Sequence, residues 1–354
     1  MKAVAAFFIF LFIFSCKHKS NEQIAVSGNQ ELLKYTSKIR MDENRDSVFI
    51  RFGKELLGFS KDELPLKTAM VVPTSALSYL DELDLLSVVK GISQPDFVFN
   101  PKIIALYQQK KIEQIGSFDE VFVEKILISK PDIFVTSSGP TLAKFHQQIK
   151  EAGIKILYID EYDEIEPLAR AEYVKIFGKL FGKEKEAGEL FGEIEKNYNE
   201  ILTSVEQSEL PKPSVFANQI YGDIWYMPGG KSFQARLFKD AGGDYLWKDD
   251  SSEGSLKLNF ENVFEKAAQA DFWLNAGDYP SINALLGAYS NYKWFAAVKN
   301  QKVYSWDKRA NEKGANDYFE TGTARPDRVL KDLAAIFYPD LFEDYELYFY
   351  RKLE

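Results

Sequence analysis

The chain of 354 residues contains one cysteine and two histidines. That scarcity excludes most enzyme chemistry. Cys16 and His18 lie at the end of and just after the first apolar segment, which leaves only His146 in the body of the chain. A Ser-His-Asp or Cys-His triad has no place to form except around His146, and a zinc site of the usual His and Cys composition cannot be assembled. His146 itself sits in a helical stretch, 141–152, and reads as a surface or packing residue. Nucleotide fingerprints are missing too. Gly229-Gly230-Lys231-Ser232 has the ending of a phosphate-binding loop, but Trp225 stands where the first glycine is required. No Gly-x-Gly-x-x-Gly follows a strand-like run. A metal-dependent hydrolase is therefore the weakest functional class, and neither a cofactor nor a resident metal is expected.

What is present begins with an export signal. Lys2 is followed by an apolar run, residues 3–14. A bilayer needs about 20 apolar residues, so this run is too short to cross one and suits a signal-peptide core. It ends in Ile13-Phe14-Ser15-Cys16, a small residue directly before the lone cysteine, as in a bacterial lipobox. The expectation is cleavage before Cys16 and acylation of its thiol; an ordinary cleavable signal with an incidental cysteine is the alternative. Residues 17–30 are polar and lack a periodic apolar face, as a tether should.

Without Lys2 the chain carries 43 basic residues against 53 acidic ones, a net charge near −10. That balance disfavours nucleic acid or an anionic bilayer surface as the main partner. Aromatics make up 15% of the chain, more than a core alone requires, so some rings are available to line a pocket.

Strand-like and helical runs alternate from Ala69 to Ile159. Strands are expected at 69–72, 88–92, 112–115, 133–135 and 154–159, with helical patterns between them. From Glu166 to about Gln207 only helical spacing is found, divided at Gly182. Alternation then resumes: a strand at 215–217, a loop over 218–230, helices at 232–241 and 260–268, strands at 272–275 and 303–306, and a last helix at 328–337. This predicts an α/β protein of two Rossmann-like lobes with mostly parallel sheets, joined by a long helical segment. The division is signal 1–15, tether and N-terminal extension 16–65, first lobe 66–165, linker helices 166–210 and second lobe 211–354.

That plan and four strings in order resemble the helical-backbone (class III) periplasmic binding proteins, which serve importers of ferric siderophores, haem and cobalamin. The most specific string is Glu124-Lys125-Ile126-Leu127-Ile128-Ser129-Lys130-Pro131-Asp132-Ile133-Phe134-Val135. Ile176 to Gly182 with Glu184 to Ala187 is similar to the family's linker helix, and Gly229 to Ser232 with Gly242-Gly243-Asp244 to the opening of its second lobe. The resemblance spans roughly residues 66–340. It implies a monomeric, lipid-anchored periplasmic receptor that captures a metal chelate and delivers it to an ABC permease with its ATPase subunits. It also implies a permease-docking glutamate on each lobe. These map onto Glu124 and Glu261, with Glu265 a minor candidate, because Glu124 lies eight residues before Asp132 and Glu261 ten before Asp271.

Sites between α/β lobes form from loops at strand C-termini. The richest is 218–231, where Tyr221, Trp225 and Tyr226 either stack on a ligand or pack beneath the loop; stacking is the expectation taken. Lys231, Arg309 and Lys308 are candidates to neutralise an anionic chelate. Phe118 and Ser137 stand where cobalamin binders place tryptophans, which weighs against cobalamin. A surface lipoprotein that binds glycan or protein through the aromatic loop is the rival reading.

Overall fold

The computed structural model describes residues 30–117 and 120–354. The signal, Cys16, the tether to residue 29 and Phe118 lie outside the described residues.

The N-terminal extension contains strands that the sequence reading did not assign. Strands β1 (Gln30–Glu31), β2 (Ile39–Glu43), β3 (Ser47–Phe52) and β4 (Glu55–Ser60) form an antiparallel meander. Ile39, Met41, Val48 and Ile50 point inward at period two and are buried. Two buried carboxylates fix the segment to the body of the protein. Glu172 accepts the amides of Lys34 (2.8 Å), Tyr35 (2.6 Å) and Thr36 (3.3 Å), and Glu164 accepts those of Ser37 and Lys38 (2.9 Å each). Five successive backbone donors thus meet two buried carboxylates, whose remaining partners are Lys175 for Glu172 and the Ser37 and Tyr173 hydroxyls for Glu164.

The first lobe is a parallel sheet of β5 (Ala69–Val71), β6 (Val89–Ile92), β7 (Glu113–Gln114), β8 (Ile133–Thr136) and β9 (Lys155–Tyr158), in the order β7-β6-β5-β8-β9. Met70, Val71, Phe134 and Val135 are fully buried, as strands covered on both faces require. Helices α1 (Thr74–Glu82), α2 (Pro101–Gln108), α3 (Val123–Ser129) and α4 (Pro140–Glu151) fill the crossovers.

The linker is three helices rather than two: α5 (Pro167–Glu172), α6 (Val174–Phe181) and α7 (Glu184–Gln207). Gly182 divides the last pair as expected, closing α6 in the left-handed region at φ 74° with Pro65 packed against it. Along α7, Ala187, Phe191, Ile194, Tyr198, Ile201 and Val205 recur every three or four residues and are buried.

The second lobe holds β10 (Ser214–Ala217), β11 (Ile220–Tyr221), β12 (Ile224–Pro228), β13 (Asp244–Tyr245), β14 (Ser255–Leu258), β15 (Phe272–Leu274), β16 (Tyr304–Ser305) and β17 (Arg351–Lys352). Its helices are α8 (Phe233–Asp240), α9 (Phe260–Ala267), α10 (Ile282–Ala288), α11 (Ala296–Lys299), α12 (Thr321–Ala324) and α13 (Pro326–Phe337), the last packed along α7. Strands β13-β10-β15 are parallel. The expected loop 218–230 is instead the hairpin β11-β12, turning at Gly222 (φ 60°) and Asp223 and joined by β14.

The two lobes repeat one device. Asp132 accepts the amides of Lys67 (2.7 Å) and Thr68 (2.9 Å), while its own amide donates to the Thr68 hydroxyl (3.0 Å). Asp271 accepts the Ser214 amide (2.8 Å), and its amide donates to the Ser214 hydroxyl (2.9 Å). Each aspartate locks the start of one central strand to the start of its neighbour.

Candidate ligand cleft and docking surface

Loops leaving the C-terminal ends of the strands face each other across the lobes. The segment after β9 brings Tyr162, Asp163 and Glu164, and the second lobe brings Asn218, the start of α8 and Tyr318-Phe319. Between them lies a cavity of about 550 Å³. Arg170, on α5, is its central cation. Its Nε donates to the Glu164 carbonyl (3.0 Å) and one Nη to the Tyr162 carbonyl (2.6 Å). The guanidinium lies 3.4 Å from the centroid of the Phe233 ring, contributed by the other lobe. Arg170 makes no ion pair among the described residues, and burial pulls its pKa down. Lys38, held in place by the Glu164 clasp, supplies a second, exposed cation. Burial pushes the phenols of Tyr162 and Tyr318 up to about 12, the first helped by Asp160 and Asp163, so both are hydrogen-bond donors at neutral pH. Desolvation also raises buried Glu161, with the charge of Arg170 opposing it. The result is an aromatic, donor-rich cleft in which Arg170 and Lys38 stand beside Asp163, Glu253 and the amide-bound Glu164, and in which the unpaired guanidinium offers an anionic group with flat or apolar parts its point of attachment.

The residues expected from the sequence fall elsewhere. Trp225 is 0% exposed, donates its indole N–H to the Ala217 carbonyl (2.9 Å) and packs on Trp273, Tyr292 and Phe295. It is core, because inward and outward positions alternate along β12. Tyr226 takes the outward face, and Tyr221 is 80% exposed beside the hairpin turn; neither lines the cavity. Lys231 is exposed and outside the lining, one residue before Ser232, which caps α8 and does line it. Arg309 is paired with Asp317 (2.6 Å) and stacked on Tyr348, and Lys308 is paired with Glu346 (2.7 Å). Their charges are already met within the fold. Ser137, half-buried after β8, does not line the cavity. His146 is buried against Tyr158, and burial lowers its pKa, which fits a packing role. The cleft residues Tyr162, Arg170, Phe233 and Tyr318 were missed. The available signal was Tyr162, three residues after the strand-like run 154–159, in a strand-exit loop of the same kind as those considered.

Glu124 and Glu261 occupy matching places. Each is the second residue of its helix, α3 and α9, and each helix leads into the locking aspartate of its lobe. The two-residue difference in spacing is one extra residue in α9 and one in the connection after it. Glu265 falls one turn later, where the first lobe has Ile128, a side chain 83% exposed. Both glutamates are exposed and neither is ion-paired among the described residues.

Residues 99–310 match the sequence model of a family described as periplasmic binding protein. An uncharacterized lipoprotein of Methanocaldococcus jannaschii is 28% identical over 95% of this chain and 79% of its own length. The iron-uptake system-binding protein of Bacillus subtilis is 25% identical over 68% of this chain and 75% of that protein. Among solved structures, a possible iron-binding (periplasmic solute-binding) protein from Staphylococcus epidermidis superposes with a TM-score of 0.61 at 20% identity. That match covers 77% of this chain and 99% of that one. With the family match extending over more than half its length, and with two α/β lobes joined by helices, this chain belongs to the periplasmic binding protein family.

Proposed function

We propose that this chain is the substrate-binding lipoprotein of an ABC importer, capturing an anionic metal chelate, a ferric siderophore first and haem or cobalamin next, and delivering it to the permease. The observation that carries the reading is Arg170, a guanidinium without a carboxylate partner among the described residues, ringed by phenols and stacked by Phe233. The iron-related names of the relatives support the same cargo class. The Ser15-Cys16 junction and the relative described as a lipoprotein support an anchor outside the cytoplasm. Exposed Glu124 and Glu261, one per lobe, are the docking contacts of this reading. Capture and delivery involve no bond-making step. The rival, a lipoprotein gripping glycan or protein through an aromatic hairpin, loses Trp225 to the core and keeps Tyr221 as its main support. Native mass spectrometry of the chain purified from its own membranes tests the proposal. A retained iron chelate is expected, and a retained peptide or bare glycan would overturn it.

A further inference from the structure

We infer that the cleft has a second compartment, built to take an uncharged, polyhydroxylated arm of the cargo. The inference rests on the chelate-binding function proposed above and specifies the kind of chelate. A cavity of about 600 Å³ opens at the C-terminal ends of β10, β15 and β16, and it shares Asn218 and Phe319 with the first. Its lining has the opposite character. No lysine or arginine contributes; the walls are Gln219, Asn275, Asp307, Asn311 and Asn316, with Trp306.

Three of its polar atoms are buried without a hydrogen-bond partner: Gln219 Oε1, Asn275 Nδ2 and Asp307 Oδ1. Asn275 is only 3% exposed, and its other side-chain atom is already engaged by the Tyr350 hydroxyl (2.9 Å). Buried polar atoms are nearly always paired, so three orphans in one cavity mark partners that a ligand would bring. Asn218 and Asn275 end adjacent parallel strands in the left-handed region, φ 62° and 55°, a conformation that non-glycine residues rarely adopt. Gly277 (φ 102°) leaves room for the Gln219 amide, which a Cβ there would meet at 2.5–2.7 Å.

The open set is one donor and two acceptors at close quarters. Hydroxyl groups both donate and accept, so neighbouring hydroxyls on a sugar-like ring can satisfy all three. Half-buried Trp306 and Phe319, 52% exposed, offer apolar faces for the ring's C–H side. An anionic group would meet Asp278 with no lining cation, the one nearby guanidinium, Arg351, being already paired with Asp307 (2.7 Å), and it belongs in the first compartment beside Arg170.

The test uses the full chain in detergent and two probes, a ferric tris-catecholate and the same chelate carrying two glucosyl groups, titrated by tryptophan fluorescence. The glucosylated probe is expected to bind at least about tenfold tighter. In Gln219→Leu the ratio of the two affinities should fall to about one. Gly277→Ala keeps the glutamine but displaces its amide, and should lower the ratio in the same direction. Arg170→Leu should weaken both probes together. Equal affinity of the wild type for the two probes would overturn the second compartment and leave the proposed function standing. A preference surviving both Gln219→Leu and Gly277→Ala would overturn the site. Tighter binding of an amine-terminated chelate than of the glucosylated one would overturn the polyhydroxyl class. Binding of neither chelate would refute the proposed cargo, and the inference with it.

Discussion

Replacing Arg170 by Met removes the central cation of the cleft while keeping much of the stem's apolar bulk. Two effects follow, and they separate. A charge-assisted hydrogen bond is worth about 1.5–3 kcal/mol net, and the loss from a partly desolvated site is about 2–4 kcal/mol. Affinity for a ferric tris-catecholate should therefore drop roughly 30- to 1000-fold. The carbonyls of Glu164 and Tyr162 lose their donors as well. That costs about 1–3 kcal/mol of stability and should lower the melting temperature by several degrees. Arg170→Lys keeps the charge, but one ammonium cannot serve both carbonyls and lie flat on Phe233, so an intermediate loss of about tenfold is expected. Fluorescence titration at low and high salt gives the affinities, and the wild-type advantage should narrow as salt rises. Arg170→Met binding within about threefold of wild type at both salts would remove the guanidinium as the counter-charge of the cargo.

Glu172→Ala strips the acceptor from three N-terminal amides and from Lys175; urea unfolding should show a loss of about 3–5 kcal/mol, and less than 1 kcal/mol would make the clasp incidental. Reversing Glu124 and Glu261 to Arg should abolish uptake without touching affinity in the isolated receptor, each contact being worth about 2–5 kcal/mol, while Glu265→Arg should matter less. Surviving uptake, or affinity lost with it, would refute the docking pair. Burial raises Glu320, between the lobes, to about 8, with Asp317 and Asp81 adding to the effect and the amides of Phe99 and Asn100 opposing it. Because its folded pKa lies above its unfolded value, the folded state holds the extra proton and stability falls as pH rises from about 4.5 to 8. Glu320→Gln should flatten that slope, and an unchanged slope would show that other groups set it.

The alternating lobes were legible because a strand buried on both faces writes itself as an unbroken apolar run, and Ile133–Val135 after Lys130-Pro131-Asp132 is such a run. The meander was not. Leu56 and Phe49 place apolar side chains on outward positions, which blurs the period of two in a segment filed with the tether. The hairpin was hidden by its turn, Gly222-Asp223, which read as part of one long loop, and with it went the alternation that sends Trp225 inward and Tyr226 outward. Arg170 lay beyond reach for a different reason. Between Ala169 and Ala171 on a helix it reads as ordinary surface charge, and only the approach of the second lobe, with Phe233, encloses it. The glutamates proposed for docking were placed by spacing, and the helix starts put Glu261 rather than Glu265 at the position that matches Glu124.

The repeated Asp lock makes the two lobes locally equivalent although their sequences differ. Asp132 with Thr68 and Asp271 with Ser214 hold equivalent strands, and each carries a glutamate at the same helical position ahead of it. A partner assembled from two like subunits presents two like patches about its own axis. If both patches engage alike, the chain can seat on such a partner in either of two orientations. That degeneracy alone favours association by about 0.4 kcal/mol, the free-energy equivalent of doubling the number of productive encounters. The symmetry ends at the next turn of each helix, where one lobe has Ile128 and the other Glu265. A partner that tells these two side chains apart would fix a single orientation.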